Sequence, residues 1–82
     1  MAVITYWGKL ADVTGRAFET CALPEQVQDT SALRAWIDAQ TGGQGVFLAP
    51  ENRIAINDEI VTEPCAVTDG DDIAFLPPVG GG

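Results

Sequence analysis

The chain has 82 residues, 46% of them apolar and 20% charged, which is the composition of one ordinary soluble domain with a small core. Twelve Asp and Glu stand against Lys9, Arg16, Arg34 and Arg53, a net charge of −8. That excludes the basic surface needed by a nucleic-acid binder, disfavours an anionic membrane surface, and favours encounter with a basic protein partner. No stretch approaches the ~18–20 apolar residues of a membrane span.

The N-terminus carries no basic leader region and reads straight into a strand, Ala2–Trp7, rich in β-branched and aromatic residues. Gly8 breaks it, Lys9–Val13 allows a short helical turn, and Thr14-Gly15-Arg16 is a turn signal. Ala17–Leu23 alternates as a second strand, with Phe18, Thr20 and Ala22 on one face and Glu19, Cys21 and Leu23 on the other. The short connection predicts an antiparallel pair with the first strand.

Asp29 or Thr30 then caps a helix over Ser31–Thr41. Leu33, Trp36, Ile37 and Gln40 follow helical spacing, and Arg34 and Asp38 are placed as a solvent-side i,i+4 pair. Gly42-Gly43 ends the helix. Residues 44–52 read as irregular, with Val46, Phe47 and Leu48 anchoring a loop or short helical turn. Arg53–Asn57 is a strand, Asp58-Glu59 its turn, and Ile60-Val61 the start of a short return strand. Pro64–Asp69 is loop, Asp69–Asp72 a turn, and Ile73–Leu76 the last strand. The order predicts an α+β domain, a mixed sheet of about five strands with one main helix on one face. The helical crossover lets a later strand lie parallel to the first. The domain spans residues 1–76, and 77–82 form an extended tail.

Period two on the last strand points Ile73 and Phe75 inward, and Ala74 and Leu76 outward. Leu76, Trp7 and Ile60 are then exposed apolar residues that together make a partner-binding patch.

The body carries no catalytic kit. There is no histidine, hence no Ser-His-Asp or Cys-His system. Cys21 and Cys65 have no metal-ligand spacing and no basic neighbour; the sequence leaves a disulfide open but reads better as two reduced core thiols, which suits a cytoplasmic protein. The carboxylate pairs Asp58-Glu59 and Asp71-Asp72 fall in turns and remain solvated. Asp69–Asp72 lacks the twelve-residue ligand spacing of a calcium loop. Gly42-Gly43-Gln44-Gly45 follows a helix instead of opening one, so it offers no phosphate cradle. No metal site is expected.

The tail is different. Pro77-Pro78 stiffen the chain, Val79 follows, and Gly80-Gly81-Gly82 form a thin flexible tip carrying the α-carboxylate. With no side chain to obstruct it, such a tip enters a narrow channel. The chain's own C-terminus is the candidate functional group.

Asp69-Gly70-Asp71-Asp72-Ile73-Ala74-Phe75-Leu76-Pro77-Pro78-Val79-Gly80-Gly81-Gly82 closely resembles the C-terminus of the molybdopterin synthase small-subunit family of sulfur carriers. Tyr6-Trp7-Gly8-Lys9-Leu10 with Thr14-Gly15, Ser31-Ala32-Leu33-Arg34, and Ala55-Ile56-Asn57 through Val61 are similar to other family segments. Trp7 and Leu76 stand where the family often has Phe. The resemblance implies a ubiquitin-like β-grasp fold. It implies that an ATP-using adenylyltransferase activates the Gly82 carboxylate, and that a sulfurtransferase system converts it to a thiocarboxylate. It further implies that the tail enters the molybdopterin synthase large subunit, in a heterotetramer, to donate sulfur to precursor Z (cyclic pyranopterin monophosphate). Catalytic residues for the pterin step are expected on the large subunit, and no permanently bound cofactor here. Trp7, Ile60, Phe75 and Leu76 match positions that form or support the apolar partner interface. Two alternatives share the Gly-Gly end: a carrier for thiamine, cysteine or tRNA thiolation, and a protein modifier that forms isopeptide bonds.

Overall fold

A computed structural model describes residues 1–78. The chain runs β1 (Ala2–Tyr6), α1 (Lys9–Thr14), β2 (Phe18–Cys21), α2 (Thr30–Thr41), a 3₁₀ turn (Val46–Leu48), β3 (Arg53–Ile56), β4 (Glu59–Ile60) and β5 (Asp72–Leu76). The strands form one mixed sheet in the order β2-β1-β5-β3-β4. β1 and β5 are parallel at its centre, and the other neighbours are antiparallel. This is the β-grasp arrangement, with α2 as the main helix on one face, as the element order predicts.

The core lies between the sheet and α2. Ala2, Ile4 and Tyr6 from β1, Ile73 and Phe75 from β5, and Ile54 from β3 meet Leu33 and Ile37 of the helix and Phe47 of the 3₁₀ turn. Ile73 and Phe75 are fully buried, as period two requires. Tyr6, Phe47 and Phe75 form an aromatic cluster with centroids 5.2–6.1 Å apart, Phe47 meeting both partners edge-on. The Tyr6 hydroxyl donates to Glu19 at 2.6 Å. Burial, then that bond, pushes the phenol's pKa far up, so it remains a donor.

Asp29 is the N-cap of α2: its Oδ1 accepts from the Ala32 amide at 2.8 Å. Gly42, left-handed, closes the helix. The outward Arg34–Asp38 pair expected from the sequence is not formed. Arg34 is buried, and its five N–H groups are all spent. Nε and Nη2 grip Glu63 at 2.8 and 2.6 Å, Nη1 donates to the carbonyls of Phe47 and Ala49, and Nη2 also to that of Asn52. Asp38 turns instead to the next loop, accepting from the amides of Gly45 and Phe47. A Cβ on Gly43 would lie 2.7 Å from Asp38 Oδ1 and 3.0 Å from Phe47 Cδ2, so a side chain there would push the carboxylate off its amides. The two side chains i and i+4 therefore act as a pair of clamps on residues 45–52, because that segment has carbonyls and amides without a ladder to satisfy them.

The hydrogen bond from Arg34, with Coulombic help from Arg34 and Arg53, holds the Glu63 carboxyl below its ordinary pKa despite opposing desolvation. A folded-state pKa below the unfolded one contributes stability that is present above the unfolded value and lost as pH falls through the folded one. Acid titration of stability by circular dichroism should therefore show the advantage of the native chain over Glu63→Gln shrinking as pH drops below the normal glutamate range. A constant gap down to the acid transition would mean that Glu63 is not charged against Arg34.

Asn57 and Asp58 both take positive φ, the pattern of a two-residue type I′ hairpin turn. The turn is thus one residue earlier than Asp58-Glu59, and Glu59 and Ile60 form β4. Asn57 also ties this turn to the start of β5, donating to Asp71 and accepting from the Asp72 amide. Asp71 further accepts from the Thr68 amide at 2.8 Å, so this carboxylate builds the turn, in keeping with its reading as a loop residue.

Candidate partner-docking face and tail root

Residues opposite one another on adjacent strands point to the same side of a sheet, so register shows which side chains share a face. Thr5 pairs with Ala74, Ala74 with Ala55, and Ala55 with Ile60. Leu76 pairs with Arg53, and Trp7 follows core-facing Tyr6, its amide bonded to the Phe75 carbonyl at 3.1 Å. These residues lie on the face that α2 leaves bare. Trp7 is 55% and Ile60 58% exposed, and Leu76 is half-buried.

Trp7, Ile60 and Leu76 line one apolar groove of about 700 Å³, closed by Gly8, Pro50, Glu51, Arg53, Pro77 and Pro78. The tail leaves the body from within it. Gly8 has φ +55°, and a Cβ there would sit 3.2 Å from Pro77 Cγ. Its bare backbone lets Pro77 lie against the β1–α1 turn. Glu51 and Arg53 place one charge of each sign on the rim.

Three of the four sequence-predicted interface residues are brought together. Phe75 is not among them: it is fully buried and stacked on Tyr6, on the face opposite Leu76, and presents nothing to a partner. Pro77 is half-buried and Pro78 exposed at the groove edge. Val79, Gly80, Gly81 and Gly82 lie outside the described residues. Sequence reasoning missed Gly8, Pro50, Glu51 and Arg53 as lining residues. The signal for Gly8 was present, since it halts a strand one residue after an exposed Trp, but its contact with Pro77 joins residues far apart in sequence.

Both cysteines are free. Cys21 packs against the core, where burial and then the carboxylates of Glu19 and Asp69 push its thiol pKa up, so it stays protonated and unreactive at neutral pH. Cys65 is half-buried but outside the core cluster, off the place its apolar neighbours suggested; the loop holds it against the start of α2, where its amide donates to Thr30 Oγ1. Among the described residues no three His, Cys, Asp or Glu side chains converge in a metal-binding group, and no helix is long and apolar enough to cross a membrane.

A helix-backed sheet with a bare apolar face, and a Pro-Pro tail rooted in that face, defines a β-grasp domain built around its C-terminal exit. The chain belongs to the ThiS family, whose profile matches residues 4–82. It is 28% identical to the human molybdopterin synthase sulfur carrier subunit, over 96% of this chain and 91% of that protein. Among solved structures it resembles small archaeal modifier protein 1 from Haloferax volcanii, with a TM-score of 0.75 and 20% identity over 99% of this chain and 98% of that one. It also resembles molybdopterin-converting factor from Helicobacter pylori, solved as a complex of its subunits 1 and 2, with a TM-score of 0.65 and 24% identity over 99% and 97%. At these identities the structural likeness is one of fold.

Proposed function

We propose that this chain is the sulfur-carrier small subunit of a molybdopterin synthase. The observation that carries the reading is the groove of Trp7, Ile60 and Leu76 at the root of the Pro77-Pro78 tail, which couples a docking face to a tip that a partner threads. The family match and the human relative support it. A carboxylate is a poor electrophile because its charge is delocalised. An adenylyltransferase using ATP joins the Gly82 carboxylate to AMP and releases pyrophosphate; the terminal sulfur of a sulfurtransferase persulfide then displaces AMP, and a thiol cleaves the resulting acyl disulfide, itself ending in a disulfide and leaving the thiocarboxylate. Its sulfur is a nucleophile at neutral pH without any cysteine. Gly81 and Gly82 lack Cβ, so the sites of the activating enzyme and of the large subunit both close around the same tip. The prolines reduce the entropy lost on threading. On the large subunit the sulfur passes to precursor Z.

A second reading, favoured by the likeness to the archaeal modifier, is isopeptide conjugation through Gly82. One experiment separates the two. The chain is incubated with its host's adenylyltransferase, ATP and a sulfur source, and its intact mass is measured. The expected result is a gain equal to the replacement of one oxygen by sulfur. Addition of precursor Z and the large subunit then reverses the gain and yields molybdopterin. Reductant-resistant adducts on lysines would favour the modifier, and an unchanged mass beside a competent activating enzyme would sink the carrier reading.

A further inference from the structure

We propose that the docking face extends across the whole sheet to Phe18 on the edge strand β2, and that the partner receiving the tail covers Phe18 with an apolar patch. This rests on the carrier reading above. The row Thr5, Ala74, Ala55, Ile60 has a fifth member, because Thr5 also pairs with Phe18 on its other side. Phe18 therefore points to the same bare face as Ile60. It is 63% exposed, and no core contact accounts for it. Four interstrand steps of about 4.8 Å place it roughly 19 Å from Ile60. Between them stand only Thr5, Ala74 and Ala55, so the floor is low between two raised apolar ends.

The area of the groove argues for the extension. A stable interface buries about 800 Å² on each partner, and a fully buried aromatic side chain supplies on the order of 150–250 Å². The exposed parts of Trp7, Ile60 and Leu76 fall well short of that sum, so the groove rim, the tail and further surface on this face supply the rest. A protein that covers Trp7 and Leu76 to take Pro77 already overlies Ala74 and Thr5, and Phe18 is one strand further. The occupant is unlike the chain itself, since two copies each carrying −8 repel. Asp72, on the same face by its pairing with Val3, and Glu51 on the groove rim outnumber the one cation there, Arg53, and suit a partner whose apolar patch has mainly basic edges.

The test uses full-length chains titrated into the molybdopterin synthase large subunit by calorimetry. Phe18→Ala is expected to raise Kd roughly 5–30-fold, the effect of losing one interface anchor. Its melting temperature should be unchanged, because the side chain is exposed. Ile60→Ala is the comparison. Weakening by Ile60→Ala with no change in Phe18→Ala would overturn the extension and leave the docking groove standing. No change in either would overturn both. Sedimentation covers the remaining occupant: a dimer of this chain that Phe18→Ala dissolves would show that a second copy covers the face, and would overturn the assignment.

Discussion

An Arg34→Ala variant is expected to lose about 3–5 kcal/mol of folding stability, the cost of breaking a buried, fully hydrogen-bonded ion pair from one side. Small domains are stable by about 5–15 kcal/mol, so this change alone brings the chain near unfolding. Arg34 is 7% exposed, and its guanidinium joins α2 to Glu63 and to three carbonyls of residues 47–52. Its removal leaves buried carbonyls without donors and Glu63 without its counter-charge. Lysine has three donors instead of five and no planar fork, so Arg34→Lys should fall between the two. Urea unfolding followed by circular dichroism measures all three chains. A loss near 0.3–0.5 kcal/mol, as for an exposed i,i+4 pair, would return Arg34 to the solvent face. The clamped segment also leads into Pro50, Glu51 and Arg53, which line the groove.

Deleting Gly82 is expected to lower sulfur acquisition by at least about 100-fold while leaving thermal stability unchanged. The deletion draws the terminal carboxylate back by one residue, roughly 3.3–3.6 Å along an extended chain. A misplacement of about 1 Å at a reacting centre can cost about 100-fold in rate. On the proposed carrier reading the recessed group no longer reaches the activating site, although the groove on the body is intact. Appending residues after Gly82 should have the same result by converting the carboxylate into an amide. The measurement is the rate of sulfur incorporation, read by intact mass, beside a melting curve. A shortened chain that gains sulfur at the full rate would show that the terminal carboxylate is not the working group.

The inward and outward alternation of β5 was legible because period two is a local property of four or five residues, and Ile73 and Phe75 obeyed it. The helix start was legible for the same reason to within one residue, Asp29 or Thr30, and the structure places the cap on Asp29. Arg34 was misread because i,i+4 spacing describes only the helix surface; whether that surface meets solvent or the loop at 45–52 depends on residues distant in sequence. The hairpin turn was misplaced by one residue because Asn57 adopts positive φ as readily as Asp58, and register with β5 settles which pair turns. Phe75 could be placed in the core by its parity, yet its family position suggested a part in the interface, and its burial keeps it in the core.

The sequence by itself determined the kind of protein this is: strand and helix content, an acidic surface, a body without a catalytic kit, and a Pro-Pro-Gly tail. All of these rest on composition and on short-range periodicity. Only the tertiary structure decided which side chains share a face. Trp7, Ile60 and Leu76 meet in one groove, Gly8 makes room for Pro77, and Phe18 joins the same row from the opposite edge, because β1 and β5 pair in parallel at the centre of the sheet. That pairing is a contact between the two ends of the chain, and no local pattern carries its register.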